Sequence, residues 1–252
     1  MPNRDTEYAM SISRVLQLFV PSLLAVATVA VPASAAPITF VATGSTGGQP
    51  IDVSVSFTFG AGTVTITALN NIVDPSSVVQ NLSGIGFILS NGATVGTLAS
   101  SSGTERTVTS SAVGGFTDGP VVSTGWSLVT NYGIGGGTGM QLCVVGCNPA
   151  ASATPSHTII GSPNASNAYA SAGGSITNGG NHQPFLAGPV TFTLNITGVT
   201  ANTTISTVQF MFGTTNGTNL VPGVPNSVPE PATYGLLGAS LVAMGLGRWK
   251  RR

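Results

Sequence analysis

The chain has 252 residues and a formal net charge of zero, from seven basic and seven acidic side chains. Between Ala36 and Ser227 only four acids and Arg106 are charged, so this stretch carries a net charge of minus three. A surface with one cation cannot neutralise a phosphate backbone, which excludes nucleic acid as a partner.

The N-terminal segment has the order of parts of a secretory signal peptide. Arg4 and Arg14 supply a positive end, Val15 to Val31 supply an apolar run, and Ala33-Ser34-Ala35 supply the small residues that signal peptidase requires. We therefore predict that residues 1–35 form a signal helix.

The predicted signal peptidase site comprises Ala33, Ala35 and Ala36, with the cut after Ala35. A cut after Ala36 would place Pro37 at the scissile bond. Either Met1 or Met10 can be the initiator, because the residues after Met10 still include a basic side chain.

Residues 36–227 show a period of two that is typical of half-buried strands. Ile51 to Phe59 and Thr63 to Leu69 each alternate apolar with hydroxyl-bearing residues, and Gly60-Ala61-Gly62 between them predicts a hairpin. Val190 to Thr197 and Val208 to Phe212 repeat the rhythm. Weaker strand candidates are Gly86–Leu89, Val121–Thr130, Met140–Val145 and His157–Ile160.

Many short strands separated by Gly, Asn and Pro predict an all-β fold, an antiparallel β-sandwich or jelly-roll-like body over residues 36–227. Gly133–Gly139 and Asn148–Asn181 are rich in Gly, Ser and Asn. Such residues have little apolar surface to bury, so we predict long loops there.

Cys143 and Cys147 are the only cysteines, and three residues separate them. Beyond a signal peptide thiols oxidise, so we predict that these two form a disulfide. A metal site with His157 lacks a fourth ligand, and Cys-x₃-Cys is not the Cys-x-x-Cys redox motif. No metal or cofactor is expected.

The body offers few side chains for catalysis. His157 and His182 lie in Gly/Ser/Asn-rich surroundings and are expected to be solvated, and Glu105-Arg106 is expected to be a local surface pair. The carboxylates available to a hydrolase are Asp52, Asp74, Glu105 and Asp118. Because no pairing of acid and base stands out, we predict a protein that is not an enzyme, with a secreted hydrolase as a weaker hypothesis.

Aromatic residues raise the alternative of a carbohydrate-binding module. Trp126, Tyr132 and Tyr169 could form a platform on which sugar rings stack, with amide side chains around it. Trp126 lies in a candidate strand, which favours a core position for it instead.

The C-terminal residues form a tail with three parts in fixed order. Val228, Pro229, Glu230 and Pro231 keep the chain extended, since proline lacks an N–H and restricts its neighbour. Tyr234 to Gly247 predict a short membrane helix. A basic cluster then predicts a cytoplasmic membrane stop at Arg248, Lys250, Arg251 and Arg252.

Residues 228–252 closely resemble the PEP-CTERM sorting signal of Gram-negative bacteria that make extracellular polysaccharide. The resemblance implies processing near Pro229-Glu230-Pro231 by exosortase, an integral membrane transpeptidase-like enzyme. It covers the tail alone, where Val-Pro-Glu-Pro, a Gly-rich apolar stretch and an Arg-rich end follow each other.

Together these patterns predict a protein that crosses the inner membrane, is cut by signal peptidase, is anchored transiently and is processed by exosortase. Its final place is the cell surface or the extracellular matrix, possible partners being extracellular polysaccharides. We expect a structural or display role for the body, with carbohydrate binding as the alternative and edge-to-edge self-assembly as a further hypothesis.

Overall fold

The computed structural model describes residues 35–147, 155–178, 180–215 and 217–226. These residues form two antiparallel β-sheets, which confirms the predicted all-β architecture. The predicted signal helix and the predicted tail helix lie outside the described residues. Within the described ranges, no helix has the length and apolar character needed to cross a membrane.

Twelve strands make up the two sheets. In chain order they are β1 (Ile38–Thr46), β2 (Gln49–Phe59), β3 (Thr63–Asn70), β4 (Leu82–Leu89), β5 (Thr97–Val108), β6 (Phe116–Val122), β7 (Ser127–Ile134), β8 (Gly137–Cys143), β9 (Phe185–Asn195), β10 (Ile205–Phe212), β11 (Leu220–Pro222) and β12 (Val224–Asn226). The seven-stranded sheet has the order β12-β1-β2-β3-β9-β5-β6, and the five-stranded sheet has the order β11-β10-β4-β8-β7.

The main core lies between the sheets and follows from the period of two. Alternate residues of β2 and β3 are buried while their neighbours stay partly exposed, because successive side chains of a strand point to opposite faces. Phe57 of the large sheet meets Phe87 of the small sheet edge to face, with ring centroids 5.7 Å apart. The sheets therefore pack as a sandwich around aromatic and branched aliphatic side chains.

The strongest sequence patterns are confirmed. The predicted hairpin pairs β2 with β3 from Val53↔Asn70 to Phe59↔Val64. The late patterns correspond to β9 and β10, and Gly86–Leu89 and Met140–Val145 overlap β4 and β8.

Two predictions about the middle of the chain are wrong. Gly133–Gly139 is not a long loop but the tip of the β7–β8 hairpin, where Gly135 and Gly136 take the positive φ values of 53° and 87° that a tight turn requires. Val121–Thr130 is not one strand, since β6 ends at Val122 and β7 begins at Ser127 on the other sheet.

The stretch predicted as a loop over Asn148–Asn181 contains no strand in its described part, residues 155–178, 180 and 181. Its one regular element is the single helical turn α1 (Gly174–Thr177). The expected strand over His157–Ile160 is wrong, because Ile159 makes only isolated bridges. This segment, called the long loop below, nevertheless packs against the sandwich. Its Tyr169 and Ile176 are fully buried in a second core together with Phe185 of β9.

A corner between β11 and β12 closes one side of the sandwich. β11 pairs with β10 in the small sheet, and β12 pairs with β1 in the large sheet. At the corner Gly223 donates its N–H to the carbonyl of Val208 at 2.9 Å. A Cβ there would lie 2.9 Å from the Phe210 ring, so only glycine fits without displacing core side chains.

Candidate functional site

The two ends of the described chain meet on neighbouring strands. β12 runs antiparallel to β1, with Thr39 opposite Asn226 and Val41 opposite Val224. Ala35 packs against the edge of the main core and Ala36 is exposed. Ala33, Val228–Pro231 and the basic residues Arg248–Arg252 lie outside the described residues.

Arg106, the one Lys or Arg side chain of residues 36–227, is held by an acid and an aromatic ring. Its Nε donates to Asp118 Oδ1 at 2.6 Å, its Nη2 donates to Asp118 Oδ2 at 2.8 Å, and its guanidinium lies 4.4 Å from the centre of the Phe116 ring. The predicted Glu105–Arg106 surface pair is therefore wrong: the two residues are adjacent on β5 and bind different partners. Both carboxylate oxygens of Asp118 are engaged in this bidentate pair.

Tyr169 links the long loop to this ion pair. Its hydroxyl accepts a hydrogen bond from Arg106 Nη1 and donates one to the carbonyl of Gly161, both at 2.9 Å. Burial raises the pKa of Tyr169, while Arg106 opposes that shift. Burial disfavours the charged form of Arg106, but the hydrogen bonds with Asp118 and Tyr169 outweigh it and raise the pKa of Arg106. We call Arg106, Asp118 and Tyr169 the Arg106 clamp. In it the neutral phenol of Tyr169 accepts a hydrogen bond from the guanidinium, which Asp118 holds in place.

His157 is not solvated as predicted, since both of its ring nitrogens and its backbone have hydrogen-bond partners. Its Nδ1 lies 2.9 Å from the carbonyl of Thr124, and its Nε2 lies 3.0 Å from Glu105 Oε1. Its backbone N–H donates to Pro184, and its carbonyl accepts from Trp126 Nε1 at 2.9 Å. These contacts join His157 of the long loop to β5 and to the segment between β6 and β7.

The remaining candidate catalytic groups bind neighbouring segments. Asp74 accepts hydrogen bonds from the N–H and hydroxyl of Ser171, both at 2.9 Å, and Asp52 accepts one from Asn71. His182 Nδ1 lies 3.1 Å from the carbonyl of Ser175. Asp52 thus links β2 to the residue that follows β3, whereas Asp74 and His182 hydrogen-bond to other loop segments or to α1.

The predicted aromatic platform is wrong, because its members do not share an exposed face. Trp126 is 4% exposed and Tyr169 is fully buried, whereas Tyr132 is partly exposed on β7. Trp126 packs against Phe192, with ring centroids 5.1 Å apart. The core position expected for Trp126 is confirmed, although the residue precedes β7 rather than lying in a strand.

Cys143 and Cys147 form the predicted disulfide, with their Cα atoms 5.9 Å apart. Both cysteines are buried against Met211, with Val129 beside them. The described part of the chain has no group of three or more His, Cys, Asp or Glu side chains that would hold a metal ion.

Comparison with known proteins identifies the tail. Residues 227–252 match the family model of the PEP-CTERM protein-sorting motif. This chain carries a PEP-CTERM sorting tail. The match begins directly after Asn226, the last residue of β12, so the sorting tail and the β-sandwich are consecutive and do not overlap. No curated protein and no solved structure matches the chain.

The PEP-CTERM tail assigns this protein to export and to membrane-associated sorting toward the cell surface by exosortase. The tail can be predicted from the sequence because its motif, apolar stretch and basic end are contiguous. The sequence alone does not predict the Arg106 clamp, because its three residues come from separate segments: β5, β6 and the long loop. The one available signal is that Arg106 is the sole cation of the body, and such a residue tends to be partnered when it lies below the surface.

Proposed function

We propose that this protein is exported, cut by exosortase near Pro229-Glu230-Pro231 and retained outside the cell, where its sandwich serves as a structural or display module. The observation that carries the proposal is the boundary between fold and tail. The last strand ends at Asn226 and the sorting motif begins at residue 227. A cut inside the motif would therefore remove no strand from the sandwich.

The state of the charged groups supports display rather than catalysis. Glu105 and Asp118 bind His157 and Arg106, and Asp74 binds Ser171. A hydrolytic site needs a carboxylate or an imidazole that faces a substrate, whereas these groups link the long loop to β5 and to the β3–β4 connection, and link β5 to β6.

Replacement of the motif tests the sorting step. The three residues Pro229, Glu230 and Pro231 are changed together to alanine in a chain with an epitope after Arg252, produced in the native host. We expect wild type and the control variant Pro225→Ala, which alters an exposed proline of β12, to lose the epitope. The triple variant should keep the epitope and stay in the inner membrane. Equal loss of the epitope from all three proteins would contradict the proposal.

A further inference from the structure

The outer face of the seven-stranded sheet carries hydroxyl groups in rows that cross the strands. The register places residues of five strands, β1, β2, β3, β9 and β5, in one row: Thr39, Ser56, Thr67, Thr191 and Ser102. A second row has Thr58, Thr65, Thr193 and Ser100. Within a row, side chains follow one another at the spacing of paired strands, roughly 5 Å.

Several hydroxyl groups in these rows are available for hydrogen bonds to a partner. Thr39 Oγ1 and Ser56 Oγ share a hydrogen bond of 2.8 Å, which shows that these two hydroxyls lie on the same face. The side chains of Thr65, Thr67, Thr191 and Thr193 are partly exposed and have no hydrogen-bond partner among the described residues. Each hydroxyl can both donate and accept, so the face offers many equivalent polar contacts to a partner.

A third row leads into a groove at the end of the sheet. Thr63, Asn195 and Thr97 are register partners, and Asn195 and Thr97 line the groove, which has a volume of about 620 Å³. Val95, 57% exposed, adds an apolar contact to the lining. At Gly96 a Cβ would lie 2.8 Å from Ile196 Cγ1, so the backbone itself forms that part of the wall.

The groove and the hydroxyl rows carry no charged side chain. Arg106 is already bound to Asp118 and Tyr169. An anionic polymer would therefore find no cation here. A peptide strand would need an open sheet edge, but β9 is paired on both sides by β3 and β5.

We propose that the groove and the hydroxyl rows bind a neutral polysaccharide chain. Hydroxyl and amide groups that donate and accept match sugar hydroxyls, and the methyl groups of threonine and Val95 match the apolar faces of sugar rings. Neighbouring strands twist by roughly 20–25°, so the rows curve and suit a flexible single chain better than a flat crystalline surface. This binding is independent of the sorting step.

Affinity electrophoresis of the full chain in detergent tests the proposal, with dextran, galactomannan, hydroxyethyl cellulose or the anionic polymer alginate in the gel. The groove variants are Asn195→Ala and Thr97→Val, and Val95→Asp is an additional variant that places an acid in the groove. The matched control is Thr138→Val, which removes an exposed hydroxyl from the small sheet. Melting curves establish that each variant is folded.

We expect at least one neutral polysaccharide to retard wild type and Thr138→Val, and alginate to retard neither. Asn195→Ala and Thr97→Val should each weaken that binding by about fivefold, the effect of losing one net hydrogen bond, and Val95→Asp should weaken it further. Retardation by none of the neutral polymers, equal retardation by alginate, or groove variants that bind like wild type would overturn the proposal. None of these results bears on the loss of the C-terminal epitope, so failure of the binding and failure of the sorting proposal are distinguishable.

Discussion

Thr39, near the start of the first strand, is the register partner of Asn226, the last residue of the last strand. Because β1 and β12 are antiparallel, the chain enters and leaves the sandwich at the same end of the large sheet. The predicted signal peptidase site after Ala35 and the sorting motif from residue 227 are each only a few residues from this pair. Cleavage at these two predicted sites would therefore act at one end of the body and leave its strands intact.

The boundary between β12 and the sorting tail predicts that two C-terminal truncations differ in stability. A chain that ends after Ser227 should melt at the same temperature as a chain that ends within the motif, since it keeps all twelve strands. A chain that ends at Gly223 loses β12 and should be less stable by about 1–3 kcal/mol, the contribution of a few backbone hydrogen bonds.

Light scattering adds a second readout for the same pair of truncations. Loss of β12 uncovers the edge of β1 at Thr39–Val41, and uncovered edges pair with other chains. We expect the chain that ends at Gly223 to self-associate with rising concentration. Identical melting and scattering of the two truncated chains would contradict the role of β12 as an edge cover.

The Arg106 clamp predicts that lysine cannot replace arginine. Arg106→Lys keeps the charge but loses the planar fork that binds both oxygens of Asp118 and reaches Tyr169. We expect a loss of about 2 kcal/mol in the free energy of unfolding, measured by urea titration, because charged hydrogen bonds contribute more than neutral ones. The control is Thr117→Val on β6, beside Asp118, and it should change the stability little. A fully stable Arg106→Lys would show that the fork is dispensable.

The raised pKa of Tyr169 predicts a loss of stability at alkaline pH. Burial favours the neutral phenol in the folded state, so the unfolded chain ionises first, near its ordinary pKa of about 10. The stabilisation by the neutral phenol is present below that pH and decreases as the pH rises toward the folded-state pKa.

Unfolding by urea at neutral pH and above about pH 10 measures this effect. The loss of stability on going to the higher pH should be smaller in Tyr169→Phe than in wild type, because phenylalanine has no proton to release. An equal loss in both proteins would assign the alkaline sensitivity to other groups.

The disulfide predicts a moderate and redox-dependent contribution. Closing so short a loop between Cys143 and Cys147 removes chain entropy from the unfolded state that is worth about 2 kcal/mol. The double variant Cys143→Ala/Cys147→Ala should therefore melt below wild type. Dithiothreitol should lower the melting temperature of wild type and leave the double variant unchanged. Equal sensitivity of both to the reductant would contradict a stabilising disulfide.

Sequence predicts those parts of the fold whose pattern is local. β2 and β3 alternate strictly, so their faces and their hairpin follow from the chain alone. The sequence does not predict β5, because its apolar residues are sparse: Gly103 and Val108 are its buried positions, and the others are partly or fully exposed. β6 lies at a sheet edge and is largely exposed, so it lacks the alternation that a buried face produces.

The candidate sites also differ in whether their residues are close together in the sequence. The sorting tail is contiguous, and its motif can be identified without a structure. His157 was expected to be solvated because its sequence neighbours are polar, yet Glu105 and Thr124 approach it from segments 52 and 33 positions away. The hydroxyl rows also depend on register across five strands, which the alternation within each strand does not determine.

The intact mass of the protein recovered from the cell surface is the most direct test of the central claim, that this chain is exported and processed at both ends. We expect a mass that begins at Ala36 and ends within Val228–Pro231, with any attached group appearing as an addition to it. A mass that corresponds to the full chain, from Met1 or Met10 to Arg252, would contradict the account.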